Sequence, residues 1–316
     1  MELNVKISHS DILSKVLGTQ DRNLNVFRQY LGVKITIDGE KILTNANGNI
    51  KDLVERVFEV LIKLANMQIT LNERDVMYVI KLAEEKLEDK IFDLYHNRKR
   101  IIITDRGKSV YPKTINQQIY ANEIFKRDLI FGVGPAGTGK TYIAVAMAAE
   151  LLKTGKIKKI VLTRPAVEAG EALGFLPGDL KEKVDPYLIP LYDALYEFLG
   201  KDQTDNLILK GVIEIAPLAY MRGRTLDNAF VILDEAQNTT NTQMKMFLTR
   251  LGFNSKMVIT GDPSQVDLPR GRNSGLKNVI ELLKNIEDIK FVTFEKIDVI
   301  RHPLVQKILE RYENEN

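Results

Sequence analysis

The chain has 316 residues, a formal net charge of +3, 44% hydrophobic residues and no cysteine. This length suits two domains with a buried core, and the composition excludes a disordered chain, disulfides and thiol-based catalytic or metal sites. No apolar run is long enough to span a membrane, and the polar start MELNVKISHS lacks the apolar core of a secretory signal, so we expect a cytoplasmic protein.

Residues 1–96 mix short strands with helices. Val33–Ile37 and Lys41–Thr44 have the length and composition of strands. Apolar residues recur at helical spacing over Asn49–Met67, and Asn72 is suited to cap a further helix. These elements predict a small α+β domain.

Residues 97–118 are basic and carry Gly107 and Pro112, which predicts a linker. Basic side chains cluster at His96–Arg100, within HNRKR, and again over Lys153–Lys159. Such runs are typical of solvated surfaces, and the small net charge does not by itself indicate a nucleic-acid partner.

Residues 119–316 alternate short apolar runs with longer helical segments. The runs are continuous, as in strands that are buried on both faces of a parallel sheet. This alternation predicts a doubly wound α/β domain whose ligands bind beyond the C-terminal ends of the strands. The predicted strands are Leu129–Val133, Ile160–Thr163, Val212–Ala216, Phe230–Leu233, Met257–Thr260 and Phe291–Phe294.

A glycine-rich loop follows the first of these strands and precedes a helix predicted over Tyr142–Leu152. The pattern G-x-x-x-x-G-K-T in this context predicts that backbone N–H groups and the helix N-terminus bind the phosphates of ATP. Lys140 is predicted to reach the β- and γ-phosphates, and Thr141 to bind Mg²⁺. The alternative is a glycine-rich turn without a ligand. The predicted nucleotide-binding residues here are Gly134, Pro135, Ala136, Gly137, Thr138, Gly139, Lys140, Thr141 and Tyr142.

Two adjacent carboxylates, Asp234 and Glu235, follow the apolar strand Phe230–Leu233. We expect Asp234 to hold Mg²⁺ from a strand that neighbours the loop strand, and Glu235 to orient or deprotonate the attacking water. The alternative is a charge pair at a helix start. Thr240 and Gln243, however, form a capping box that places the helix start further along the chain.

The strand Met257–Thr260 ends in the segment GDPSQ. Its strand-end position predicts that Thr260, Asp262 and Gln265 lie near the γ-phosphate and sense its presence. The alternative is a simple Asp-Pro turn.

These motifs resemble motifs I, Ia, II and III of superfamily 1 helicases, and more closely the PhoH-like protein family. The family's order of GPAGTGKT, DEAQN and TGD-SQ-DLP also includes segments that match Thr163–Glu171, Leu173–Asp179, Pro217–Leu226 and Arg301–Val305. The resemblance covers about residues 113–312 and implies a RecA-like P-loop NTPase domain. The N-terminal part resembles a KH-like αββα arrangement without its G-x-x-G loop.

The resemblance also implies roles for further residues. Gln117 is expected to read the adenine edge, with Gln118 as the rival assignment. Arg301 is expected to stabilise γ-phosphate charge in the transition state, in its own subunit or across a subunit boundary; the alternative is a helix cap or an ion pair. Three more arginines are expected either to contact nucleic acid or a neighbouring subunit, or to form surface salt bridges: Arg164, Arg222 and Arg224.

The implied function is Mg²⁺-dependent ATP hydrolysis that remodels single-stranded RNA, alongside an endoribonuclease of ribosomal RNA maturation. Only about 50 residues follow Asp262, which is too few for a second RecA-like domain. A homo-oligomer such as a ring is therefore expected. No spaced carboxylates of a nuclease occur in residues 1–112. Two other functions stay open, namely a P-loop kinase and a nucleotide-gated adaptor with negligible turnover.

Overall fold

The computed structural model describes residues 1–5, 10–39, 41–165, 180–269 and 271–313. The matched family segments between residues 166 and 179 therefore lie outside the described residues. The chain divides into two units, one formed by Met1–Arg98 together with Ile297–Asn316, and the other by Lys99–Lys296. None of the described helices is long and apolar enough to cross a membrane.

The first unit combines helices with one antiparallel hairpin, which confirms its predicted α+β character. Phe27 stacks on Phe58 with ring centroids 5.0 Å apart, and both are fully buried. Asn72 caps a helix as predicted, because its side chain accepts from the Arg74 N–H at 3.0 Å. The KH-like arrangement stays a prediction. The elements are α1 (Ser10–Leu17), α2 (Arg22–Val26), β1 (Ile35–Asp38), β2 (Lys41–Thr44), α3 (Gly48–Asn66), α4 (Glu73–Glu84) and α5 (Lys90–Asn97).

The second unit is built on a six-stranded sheet whose described strand pairs are all parallel. A separate two-stranded hairpin in this unit is antiparallel. Its elements are β3 (Ile102–Ile103), β4 (Ser109–Val110), α6 (Ile115–Lys126), β5 (Leu129–Val133), α7 (Lys140–Lys153), β6 (Lys159–Arg164), α8 (Leu180–Leu199), α9 (Lys201–Leu209), β7 (Ile213–Pro217), β8 (Ala229–Leu233), α10 (Asn241–Leu248), β9 (Lys256–Gly261), α11 (Gly275–Leu283) and β10 (Ile289–Thr293). The helix α12 (Pro303–Glu313) ends the described chain and belongs to the first unit.

Helices cover both faces of the sheet, which explains why the strands read as continuous apolar runs. Ile130 of β5 and Phe230 of β8 lie in the core shared with α6, α7 and α8. Phe131 and Val231, the next residues along these strands, lie in the core shared with α10 and α11. The predicted doubly wound α/β fold is therefore confirmed.

The strand order is β10-β5-β9-β8-β6-β7. Because β9 lies between β5 and β8, the expectation that Asp234 follows a direct neighbour of the loop strand is wrong. The two strands still end at the same edge of the sheet, since both are parallel to β9.

The first domain boundary in the structure differs from the predicted one. Residues 97–118 were expected to form a linker, but from Lys99 onward they belong to the second unit. Ile102 and Val110 of the β3–β4 hairpin are buried in its core. Lys153 of α7 also donates to the Ile103 carbonyl at 3.1 Å. The basic stretch is thus a packed part of the second unit.

The second boundary moves as well, because the predicted ATPase domain 119–316 ends at Lys296. The chain that follows packs with the N-terminal residues. Lys81 of α4 donates to the Val299 carbonyl at 2.6 Å, and burial lowers the pKa of this lysine. The C-terminal segment is therefore anchored by contacts that no local sequence pattern reveals.

Candidate nucleotide-binding site

Two glycines of the loop 134–141, hereafter the P-loop, have backbone conformations that larger residues rarely adopt. Gly134 has φ of +142°, and a Cβ there would lie 2.3 Å from the Phe294 carbonyl oxygen. Gly139 has φ of +81°, and a Cβ there would lie 2.8 Å from Nε2 of Gln117. The backbone conformation favours glycine at both positions, and at Gly134 the close backbone oxygen also excludes any larger residue.

Lys140 is folded into the P-loop and is buried. Its Nζ donates to the carbonyl oxygens of Gly134 and Pro135 at 2.7 and 2.8 Å. Burial lowers the pKa of Lys140, whereas Asp262, Asp234 and Glu235 act to raise it. A phosphate in the loop would offer this ammonium a charged acceptor, which forms stronger hydrogen bonds than neutral carbonyls do.

The predicted metal ligands meet directly. The Thr141 hydroxyl donates to Oδ1 of Asp234 at 2.7 Å, and the Thr260 hydroxyl donates to the same oxygen at 2.7 Å. In addition, the buried Oδ2 of Asp262 has no hydrogen-bond partner within the described part of the chain. A hydroxyl and carboxylates in this arrangement fit Mg²⁺, which takes a few protein oxygens and completes its shell with water and phosphate.

Glu235 is held by two side chains. Arg164 donates to its Oε1 at 2.9 Å, and Gln237 donates to its Oε2 at 2.5 Å. The backbone of Glu235 adopts the left-handed conformation with φ of 52° and ψ of 41°, which is uncommon outside glycine. Gln237 also accepts from the Asp262 N–H at 3.0 Å and so links the ends of β8 and β9. The carboxylate therefore has a defined orientation within a hydrogen-bonded network.

Lys140, Thr141 and the carboxylates described above line one cavity of about 230 Å³. It gathers predicted site residues from the ends of β5, β8 and β9, as expected for a parallel sheet. Tyr142 is among them, and its hydroxyl donates to Glu197 at 2.9 Å. The predicted residues that line the cavity are Ala136, Gly137, Gly139, Lys140, Thr141, Tyr142, Asp234, Glu235, Asp262 and Gln265.

Gln117 lies against the P-loop. Its Nε2 donates to the Thr138 carbonyl at 2.8 Å, and its Oε1 accepts from the Lys113 N–H at 2.7 Å. This side chain therefore braces the P-loop, and its contact with adenine stays a prediction. The rival, Gln118, lines a different pocket.

Arg301 belongs to the first unit, whereas the P-loop and the two carboxylates belong to the second. It lines a pocket of about 490 Å³ together with Arg22 and Arg74. Its action on the γ-phosphate stays a prediction.

The other three arginines have separate environments. Arg224 forms two hydrogen bonds to Glu214 at 2.6 and 2.8 Å, which matches the salt-bridge alternative. Arg222 is exposed. Arg164, the last residue of β6, and Gln237 are partners of Glu235 that were not predicted from the sequence. Arg164 reaches Glu235 because β6 pairs with β8, and the sequence alone does not reveal this pairing.

Comparisons with known proteins identify the family of the chain. The family model described as PhoH-like protein matches residues 109–313. The chain is 52% identical to the PhoH-like protein of Bacillus subtilis (strain 168), over 100% of this chain and 98% of that protein. It is 49% identical to Protein PhoH of Escherichia coli (strain K12), over 61% of this chain and 55% of that protein.

Among solved structures, the large terminase from a thermophilic bacteriophage, in complex with ADP, aligns with a TM-score of 0.41 and 14% identity. That alignment covers 63% of this chain and 49% of the terminase chain. The glycine-rich loop between β5 and α7, with Thr141 bonded to Asp234 at the end of β8, is the arrangement of a P-loop nucleotide-binding site. The family match and the near full-length identity show that the chain belongs to the PhoH-like protein family.

Proposed function

We propose that this protein binds ATP with Mg²⁺ at the P-loop, hydrolyses it, and uses the cycle to remodel single-stranded RNA. One observation carries the proposal. Lys140, the Thr141–Asp234 pair and an oriented Glu235 line the same cavity. A phosphate-binding cation, a metal-binding pair and a water-activating carboxylate are the groups that hydrolysis of a phosphoanhydride needs.

Each residue has a distinct role in the proposed reaction. Lys140 leaves the loop carbonyls and binds the β- and γ-phosphates. Thr141 and Asp234 would hold Mg²⁺, which neutralises charge on the phosphates when it is bound. Glu235 accepts a hydrogen bond from the attacking water and aligns it with the γ-phosphate. Arg164 keeps the Glu235 carboxylate from rotating away.

The network also supports sensing of the γ-phosphate. The Asp262 N–H binds the Gln237 amide oxygen, and the Gln237 amide nitrogen binds Glu235. A displacement at the end of β9 is therefore passed to the water-activating carboxylate through one side chain. In this proposal the Asp262–Gln265 segment responds to the presence of the γ-phosphate.

RNA as the substrate is supported by the family resemblance and by the basic side chains of the second unit. We also propose that the chain acts as a homo-oligomer such as a ring, in which Arg301 of one subunit serves the ATP of another. A setting alongside an endoribonuclease of ribosomal RNA maturation follows from the same resemblance.

The test is phosphate release by the purified protein, alone and with single-stranded RNA or single-stranded DNA. We expect turnover that RNA stimulates and that Lys140→Ala abolishes. Tight ATP binding without turnover would instead establish the nucleotide-gated adaptor. Transfer of the phosphate to an added acceptor would establish the kinase.

A further inference from the structure

A second pocket lies on the second unit, Lys99–Lys296, hereafter the nucleotide-binding unit. It has a volume of about 310 Å³ and is lined by α6, by α7 with the residues that follow it, and by residues 99–101 and 112, which flank the β3–β4 hairpin. This volume falls at the lower end of the range for small-ligand sites. None of the described residues assigned above to phosphate, metal or water activation lines it.

An exposed aromatic ring lines this pocket. Phe125, near the end of α6, is 56% exposed. Lys156 Nζ lies 4.5 Å from the centroid of its ring, a cation–π contact. The apolar part of the lining includes Met147 and Leu151, which are buried. The pocket thus offers an aromatic surface beside an apolar floor.

The rim of this pocket is basic. Lys99, Arg100, Lys126 and Lys156 line it, and among the described lining residues only Glu150 carries a carboxylate. Lys99 and Arg100 come from the first basic run of the sequence, and Lys156 comes from the second. The fold therefore brings two basic runs that are far apart in sequence to one aromatic pocket. Basic side chains from both runs would be needed to surround a polyanion.

We propose that this pocket binds single-stranded RNA, with one base stacked on Phe125 and the flanking phosphates bound by the four basic side chains. An exposed aromatic ring inside a basic groove is the arrangement that binds single strands without reading sequence. The proposal rests on the RNA part of the proposed function and gives it a location. The carboxylates of an acidic peptide would pair with the lysines, but they would not stack on the aromatic ring.

The test is fluorescence anisotropy of a labelled oligouridine with the full chain, without ATP, at several salt concentrations. Phe125→Ala should weaken binding by roughly 5- to 150-fold, the loss expected for one stacked base, with an unchanged salt slope. Lys156→Gln should instead reduce the slope of log K against log salt by about 0.7. The two variants therefore separate stacking from charge.

Matched controls are available on the same unit. Phe253 is 86% exposed and does not line the pocket, so Phe253→Ala should bind RNA like the wild type. Lys245 is exposed on α10, and Lys245→Gln should keep the wild-type salt slope. Thermal unfolding midpoints within a few degrees of the wild type would show that each variant is folded.

Three results would overturn the proposal. If the wild type binds RNA and Phe125→Ala binds it equally well, the pocket is not the site, while the RNA function stands. If the wild type hydrolyses ATP but binds no RNA at any salt concentration, both the pocket and the RNA part of the function fail. If polyglutamate displaces the oligouridine as well as unlabelled RNA does, the pocket recognises charge alone.

Discussion

Arg164 should control how fast Glu235 activates water. The ion pair between them is 2.9 Å long, and the two side chains are 22% and 36% exposed. In Arg164→Ala the carboxylate loses one of its two described partners and can rotate about its hydrogen bond to Gln237. A carboxylate that is misplaced in this way aligns the water less often, so kcat should fall.

The size of this loss follows from the exposure of the pair. A hydrogen bond between charged groups contributes about 1.5–3 kcal/mol, and solvent screening places a partly exposed pair at the lower end. A loss of about 1.4 kcal/mol corresponds to a tenfold lower rate. We therefore expect kcat of Arg164→Ala to be roughly tenfold below the wild type, with a nearly unchanged Kd for ATP.

Steady-state phosphate release gives kcat, and calorimetric titration gives the Kd for ATP. Arg224→Ala is the matched control, because Arg224 pairs with Glu214 rather than Glu235, so its kcat should match the wild type. In the double variant with Glu235→Gln, the loss of Arg164 should cost little further activity. A kcat for Arg164→Ala within twofold of the wild type, or above it, would refute the positioning role.

Three further predictions follow from the site and the fold. Glu235→Gln should keep ATP binding but lose turnover by about 100-fold or more, as phosphate release will show, and normal hydrolysis would contradict its role. Thr141→Val removes the hydroxyl that donates to Asp234, so the Mg²⁺ concentration for half-maximal phosphate release should rise about tenfold; an unchanged requirement would exclude the ligand. Arg224, with Lys159, lowers the pKa of Glu214 from 4.5 to about 2. The stabilisation that the charged Glu214 gives the folded state is then full above pH 4.5 and is lost as the pH falls through 2. Glu214→Gln should therefore lower the thermal unfolding midpoint at pH 7, and lower it progressively less below pH 4.5. A difference in midpoint that does not change with pH would contradict this role of the ion pair.

The strands of the nucleotide-binding unit could be predicted because they are buried on both faces. Burial on both sides demands apolar residues at every position, so Leu129–Val133 appears as one uninterrupted run with its observed bounds. The site followed from the same logic, since the P-loop, Asp234 and Asp262 each stand directly after such a run. Because parallel strands end at the same edge of a sheet, the meeting of these residues could be predicted without knowing the strand order.

The order of the strands could not be predicted for the same physical reason. A strand that is apolar on both faces carries no side-chain pattern that distinguishes one neighbouring strand from another. The sequence therefore does not indicate that β9 lies between β5 and β8. The partners of Glu235 depended on that order. Arg164 could be found only by knowing that β6 pairs with β8.

The predicted domain boundaries differ from the observed ones where tertiary packing overrides local composition. Basic and glycine-containing chain is typical of linkers, yet Ile102 and Val110 supply enough apolar surface for the β3–β4 hairpin to join the core beside α7. The same packing places Lys99 and Arg100 beside Lys156, although more than fifty residues separate them in sequence. The sequence of each basic run alone is typical of a solvated surface. The reason is that local sequence does not distinguish a lysine that only contacts water from a lysine that binds phosphate. What distinguishes these two runs is that they surround one pocket together with the exposed ring of Phe125.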